Sequence, residues 1–227
     1  YRKLERGIPQ TRWPCRSCRG RDGGCESCNG TGQQYPHSIQ SLVCEPMVES
    51  SGAISDAFHG MGREDIDVRC LGDGRPFVAE LKSPLRRTLD LEKLMNSINK
   101  AAGNQIEILG LRLSNRAEVS RIKETKAEKS YTIRFTSDHG LTDEEVTTRI
   151  QSLSGQVLEQ QTPQRVAHRR ADKVRNRKVV SIENILITDD EIQFDVRCES
   201  GTYVKELIHS DEGRTNPSVA ALLEADC

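Results

Sequence analysis

Two Cys-x-x-Cys knuckles lie close together in this chain, Cys15-Arg-Ser-Cys18 and Cys25-Glu-Ser-Cys28, separated by six residues. Two residues between thiols let both sulfurs turn onto one ion, and four thiolates complete a tetrahedral site. Gly20, Gly23, Gly24, Gly30 and Gly32 permit the turns this requires. A redox dithiol is the competing reading, but such motifs come singly and at a helix start. The pattern predicts structural zinc on Cys15, Cys18, Cys25 and Cys28, with no open position for chemistry. Residues 1–36, rich in Arg, Gly, Cys and Pro, then form an irregular zinc-binding segment attached to a main domain over 37–227. Cys44, Cys70, Cys198 and Cys227 are scattered and read as packing residues.

Tightly paired cysteines without a visible export signal suit a reducing, cytoplasmic setting. No apolar run is long enough to span a bilayer, so no membrane partner is expected. The chain opens on Tyr1 with residues that read as the middle of something longer, and a piece of a larger protein is expected. Hydrophobic residues make up 35% and aromatics only 4%, so the core must lean on Leu, Ile and Val. Net charge is -1 although 30% of residues are charged, so any basic surface is local. One such stretch exists. Arg165, His168, Arg169, Arg170, Lys173, Arg175, Arg177 and Lys178 crowd a polar loop expected over 160–178, with Asp172 the single acid. That patch suits phosphates.

Periodicity predicts one or two helices over 37–59, then two extended runs, 66–70 and 77–81, forming a hairpin around Gly72-Asp73-Gly74. Leu91, Leu94, Met95 and Ile98 mark a helical face within 89–101. A strand is expected over 106–113, a short helix capped by Asn115, and a strand over 131–135. Thr142-Asp-Glu-Glu145 opens a helix with acids in its first turn. Strands over 179–187 and 192–198 should pair around Asp189-Asp190, and 201–208 reads as a turn entering a helix. Strands and helices do not strictly alternate, so the fold class is α+β with a mainly antiparallel mixed sheet flanked by helices.

The densest charge lies in Gly62-Arg63-Glu64-Asp65-Ile66-Asp67-Val68-Arg69. Asp65 and Asp67 alternate with Ile66 and Val68, a strand pattern that would set both carboxylates on one face. A nearby guanidinium keeps a partly buried carboxylate ionised, which a nucleophilic or proton-abstracting aspartate needs. One reading is a metal-dependent nuclease, with Asp67 and Glu80 holding a divalent ion and Lys82 positioning water. A non-catalytic zinc-bearing RNA-binding module is a second alternative.

A third reading comes from resemblance. Gly62-Arg63-Glu64-Asp65 resembles the Gly-Arg-x-Asp motif of pseudouridine synthases, and Gly201-Thr202-Tyr203-Val204-Lys205-Glu206-Leu207 resembles their later Gly-Thr-Tyr motif. The strings 1–13, 62–77, 161–170 and 201–217 are together similar, in collinear order, to the archaeal–eukaryotic tRNA pseudouridine synthase family called "Pus-ten". The resemblance implies a pseudouridine synthase fold, with 37–227 the catalytic domain, and an amino-terminal THUMP-containing domain absent from this sequence. It implies isomerisation of uridine to pseudouridine at tRNA positions 54 and 55, in the TΨC arm, with no cofactor consumed. It makes Asp65, at the motif's fourth place, the essential aspartate and Lys205 the basic residue that keeps it ionised. Tyr131 becomes the platform for the target base, Leu207 the residue packed beneath the site, and Arg63 a hold on the flipped nucleotide. Arg165, His168, Arg169 and Arg170 fall on a loop that grips RNA. The expected partner is tRNA, with no obligate protein partner and a monomeric state.

Overall fold

A computed structural model describes residues 1–168, 170–188 and 191–227. They form two compact units, Tyr1–Thr125 and Lys126–Cys227. All strand pairing among the described residues is antiparallel, as the α+β reading expects. The strands are divided among three sheets rather than gathered into one.

In the first unit, β1 (Arg2–Lys3) pairs with β4 (Ile106–Glu107), and β2 (Ser55–Gly60) pairs with β3 (Phe77–Lys82). Helix α1 (Ile39–Ser51) starts at Ser38, whose hydroxyl accepts from the Ser41 amide in a capping box. It stops at Gly52, in the left-handed region at φ 64°. Helix α2 (Leu91–Ala102) is capped by Asp90 and buries Leu94 and Ile98, the face its periodicity predicts. Helix α3 (Arg116–Glu124) starts at Asn115, whose side chain accepts from the Ala117 amide. The core joins Ile39, Val43, Ile98, Ile106 and Ile108 to partly buried Phe58 and Phe77, whose rings stack at 5.2 Å.

Three expectations fail in this unit. Residues 55–60 are a strand, not the end of a helix, because Gly52 ends α1 early. The expected strand over 106–113 shortens to two residues, since the backbone of Ile108 pairs with the Asn99 side chain at 2.7 and 2.9 Å. The hairpin partner of β3 is β2, and Ile66–Arg69 is irregular. Its carbonyls bond elsewhere. Ile66 O accepts from the Gly7 amide, and Asp65 O accepts from the Val68 amide within a turn.

In the second unit, the sheet order is β5-β8-β7-β6-β9. Its strands are β5 (Lys129–Phe135), β6 (Val157–Gln161), β7 (Val174–Ile187), β8 (Ile192–Cys198) and β9 (Thr215–Asn216). Along β5, Tyr131, Ile133 and Phe135 turn to the core, while Thr132 and Arg134 face solvent. Helix α4 (Asp143–Gln151) is capped by Thr142 with Glu145 reaching back to its amide at 2.8 Å. Short α5 (Gln164–Ala167), α6 (Val204–His209) and α7 (Val219–Leu223) complete the unit. Phe194, Val196, Leu158, Ile150 and Leu207 are fully buried in its core. The polar loop expected over 160–178 is mostly ordered structure, because β6 and β7 pair as far as Gln161 and Val174. Strands β7 and β8 pair as expected. Asp189 and Asp190 of their turn lie outside the described residues.

Candidate active site and metal centre

The segment carrying Asp65 joins β2 to β3, and buried chemistry holds it. Lys3 is fully buried, and its Nζ donates to the carbonyl oxygens of Ile66 at 2.8 Å and Asp65 at 3.3 Å. Burial lowers the Lys3 pKa from the ordinary lysine value, while the carboxylates of Glu64 and Asp67 oppose the shift. At the other end, Arg75 Nε meets Glu64 Oε2 at 2.8 Å, with side chains only 10% and 4% exposed. A pair this buried depends on further polar contacts around both groups. Arg75 also donates to the Met61 carbonyl at 2.6 Å. Tyr1 donates its hydroxyl to Glu64 at 3.1 Å and accepts from Gln10 Nε2 at 3.0 Å. Gln10 donates as well to the Gly62 carbonyl at 3.0 Å. Gly74, at φ 74°, lies so near the Tyr1 carbonyl that a Cβ would fall 2.6 Å from its oxygen.

Neither Lys3 nor the Glu64–Arg75 pair stood out in the sequence. A second Gly-Arg step, Gly74-Arg75, was the available signal, echoing Gly62-Arg63 at the opposite end of the loop. Asp65 is half-buried and Asp67 exposed, so the strand alternation expected of them is absent. Arg63 is exposed and sets its guanidinium 5.4 Å from the centre of the Trp13 ring.

The nuclease constellation does not assemble. Glu80 faces out of β3 and pairs with His59 at 3.2 Å, Lys82 ends the same strand, and the Asp67 carbonyl accepts from Arg6 at 3.0 Å. Among the described residues, the four knuckle cysteines are the one group of three or more potential ligands that converges.

In the second unit, Leu207 is fully buried and Tyr131 packs against the same core. Lys205 sits half-buried in the first turn of α6. The turn before it is fixed by Gln160, a fully buried amide that sequence reasoning did not single out. Its Nε2 donates to the Tyr203 carbonyl at 3.0 Å and its Oε1 accepts from the Tyr203 amide at 2.9 Å. Arg165, on α5, forms a forked pair with Glu206 at 2.6 and 3.3 Å. Glu206 is 1% exposed, so this guanidinium offsets a buried charge at the helix bearing Lys205 and Leu207. His168 and Arg170 are exposed, and Arg169 lies outside the described residues. Arg175 donates to Thr162 at 2.8 Å, and Asp172 accepts from Arg214 at 2.8 Å. Asp65 and Arg63 thus belong to the first unit, and Tyr131, Lys205 and Leu207 to the second.

The cysteine cluster fits a metal. Sγ separations are 3.8 Å for Cys15–Cys25, 3.9 Å for Cys18–Cys28 and 3.7 Å for Cys25–Cys28. Thiolates about 2.3 Å from a tetrahedral ion would lie about 3.8 Å apart. Amides of Cys25 and Gly32 donate to Cys28 Sγ at 3.1 and 3.2 Å. The Cys25 hydrogen bond leads in holding the Cys28 thiol down to about 6, which favours the thiolate a metal takes. The knuckles cross closely, and a Cβ on Gly24 would meet the Gly30 carbonyl carbon at 2.4 Å. Cys44 and Cys198 are fully buried, away from this cluster, as packing residues are.

The anchored Asp65 loop and the four converging cysteines both belong to the first unit. The family model described as "Pus10, C-terminal" matches residues 1–227, and the chain belongs to that family. A tRNA pseudouridine synthase Pus10 from Methanocaldococcus jannaschii is 46% identical over 227 residues, 100% of this chain and 49% of that protein. One from Methanothrix thermoacetophila is 48% identical over 226 residues, again 100% of this chain and 49% of the relative. The chain therefore spans about half the length of the curated relatives it matches. A solved Cbf5-Nop10-Gar1 complex aligns at TM-score 0.45 and 18% identity, covering 81% of this chain and 40% of that one.

Proposed function

We propose that this chain isomerises uridine to pseudouridine in tRNA, at positions 54 and 55 of the TΨC arm. The observation that carries the reading is the loop Gly62–Asp65, held from beneath by buried Lys3 and Glu64–Arg75. An aspartate on a pinned, irregular loop is presented in one orientation, as a reacting carboxylate requires. Family membership and the names of the relatives support the same reaction. In it the bond from C1′ to N1 of uracil breaks, the base turns, and a bond from C1′ to C5 forms. The proton on C5 is lost and N1 gains one, so composition is unchanged and no cofactor is consumed.

Asp65 is the reacting aspartate. Lys205 is the basic catalytic residue, Tyr131 the platform for the target base, Leu207 the packing beneath it, and Arg63 a hold on the flipped nucleotide. Arg165, His168, Arg169 and Arg170 serve RNA binding, Arg165 through its fixed pairing with Glu206. Residues 1–36 form a structural zinc segment on a pseudouridine synthase catalytic domain, 37–227. Four converging sulfurs, three of their separations near the tetrahedral value, support zinc there. The protein works on tRNA in the cytoplasm as a monomer, with no obligate protein partner. The test is nucleoside analysis of unmodified tRNA transcript incubated with the protein and no added divalent ion. Pseudouridine is expected with the unmutated chain and none with Asp65→Asn, which should still bind tRNA. Turnover by Asp65→Asn would overturn the assignment.

A further inference from the structure

Strand β6 turns Leu158 and Gln160 to the core of the second unit. An inward position on a strand ordinarily takes an apolar side chain, as Leu158 does. Burying an amide there is costly unless its hydrogen bonds are met. Those of Gln160 are met at Tyr203 and Thr215. Its Oε1 accepts from the Tyr203 amide at 2.9 Å, and its Nε2 donates to the Tyr203 carbonyl at 3.0 Å and to the Thr215 hydroxyl at 3.3 Å.

Tyr203 is the residue from which α6 starts, and its own side chain makes no capping bond. The helix is six residues long, too short to keep its place unaided. Gln160 supplies from a neighbouring strand what a capping side chain would supply, gripping both backbone groups of the residue that opens the helix. At the other end, the Thr215 amide donates to the carbonyl of Ser210, which closes the helix, at 2.9 Å. One buried amide thus reaches the start of α6 directly and its end through Thr215. Lys205 is the second residue of that helix. An apolar side chain at 160 would fill the same space without setting the rotation of the helix start, because burial has no direction and a hydrogen bond does.

We infer that Gln160 is a positioning residue for Lys205, fixing the start of α6 so that the ammonium is delivered in one place. The inference rests on Lys205 being the basic catalytic residue proposed above. Gln160 has no accessible surface, so it acts through the lysine and not on the substrate.

The test is pseudouridine formation in unmodified tRNA transcript by the full chain carrying Gln160→Met, Lys205→Met or both. Methionine keeps the length of glutamine and removes its three bonds. Gln160→Met should lower kcat roughly 10- to 100-fold, as a displacement of about 1 Å does, with KM for tRNA within about twofold. In the Lys205→Met background the same change should lower kcat by less than about twofold, because a contribution already lost is not lost again. Two further variants separate positioning from a general loosening of the fold. Thr215→Val removes only the acceptor at 3.3 Å and keeps both Tyr203 bonds, so its kcat should be parental. Gln160→Glu keeps the shape and an acceptor for the Tyr203 amide, so its kcat should lie between those of the parent and Gln160→Met. It carries the same test in both backgrounds if Gln160→Met does not fold. A parental kcat for the Gln160 variants, an equal fold-loss with and without Lys205, or a loss in Thr215→Val as large as in Gln160→Met would overturn the inference and leave the reaction standing. Parental turnover by Lys205→Met would overturn the role of the lysine and this inference with it.

Discussion

The Lys3 ammonium lies 2.8 Å from the carbonyl oxygen of Ile66, joining β1 to the loop that carries Asp65 from within the core. A lysine without solvent exposure needs this kind of return, because an isolated buried ammonium would lose its proton or unfold its surroundings. Replacement by methionine keeps the volume and removes the charge. It leaves the carbonyls of Asp65 and Ile66 without that donor. Lys3→Met should lower stability by about 1–3 kcal/mol in urea unfolding. A shift of about 1 Å at the aspartate should lower kcat roughly 100-fold, with KM for tRNA little changed. A parental kcat would show that the loop keeps its shape without Lys3.

The Glu64–Arg75 pair should be more costly to break. Both side chains are nearly inaccessible, and Tyr1 and Gln10 complete the network around Glu64. Arg75→Met leaves a buried carboxylate uncompensated, at a cost of about 3–5 kcal/mol. Glu64→Gln should cost less, because the amide still accepts from Tyr1. Thermal unfolding of the two single variants and the double variant separates the pair energy from general repacking. A loss below about 1 kcal/mol for Arg75→Met would mean water reaches Glu64.

The cysteine site carries a pH prediction with a definite sign. The Cys28 thiol, lowered to about 6 chiefly by the Cys25 backbone hydrogen bond, favours the folded knuckle where it is ionised. Its contribution is full above the ordinary thiol range, near 9, declines as pH falls, and is gone below about 6. One zinc per chain should therefore be retained at neutral pH and released to a chromophoric chelator on acidification, as protons compete with the ion for the four thiolates. Cys28→Ser should release it already at neutral pH. Metal analysis showing no zinc in protein prepared at neutral pH would remove the site.

Arginines around α5 should divide into two kinds. Arg165 faces buried Glu206, so Arg165→Ala should destabilise by about 3–5 kcal/mol and disturb α6, which carries Lys205 and Leu207. Arg170, Lys173 and Lys178 are exposed. Their reversal to glutamate should leave stability nearly unchanged and weaken tRNA binding. The slope of log affinity against log salt should drop by roughly two to three. An unchanged slope would make these residues a solvated face.

Wherever one residue type fixes local geometry, the sequence alone was decisive. Two Cys-x-x-Cys knuckles with intervening glycines specify converging sulfurs, because few other folds of so short a segment satisfy four thiols. Asn115 and Thr142 marked helix starts because a side-chain oxygen at that place satisfies an otherwise open amide, whereas the caps Ser38 and Asp90 lie one residue inside the helices expected over 37–59 and 89–101. The Gly-Arg-x-Asp string identified Asp65 as the candidate without help from any fold. Tertiary structure decided whatever depends on partners distant in the chain. Alternation at Asp65–Val68 predicted a strand, but the adjacent edge of β3 is taken by β2, so the segment bonds instead to Gly7 and Lys3. Nothing in the sequence singles out Lys3 or Arg75, and only burial and a carbonyl or carboxylate 2.8 Å away make them anchors. A run of arginines looks uniform as text, and only the buried oxygens of Glu206 set Arg165 apart from Arg170. Local pattern fixes what a residue does to its own backbone, whereas burial and charge compensation depend on side chains that the chain brings together only on folding.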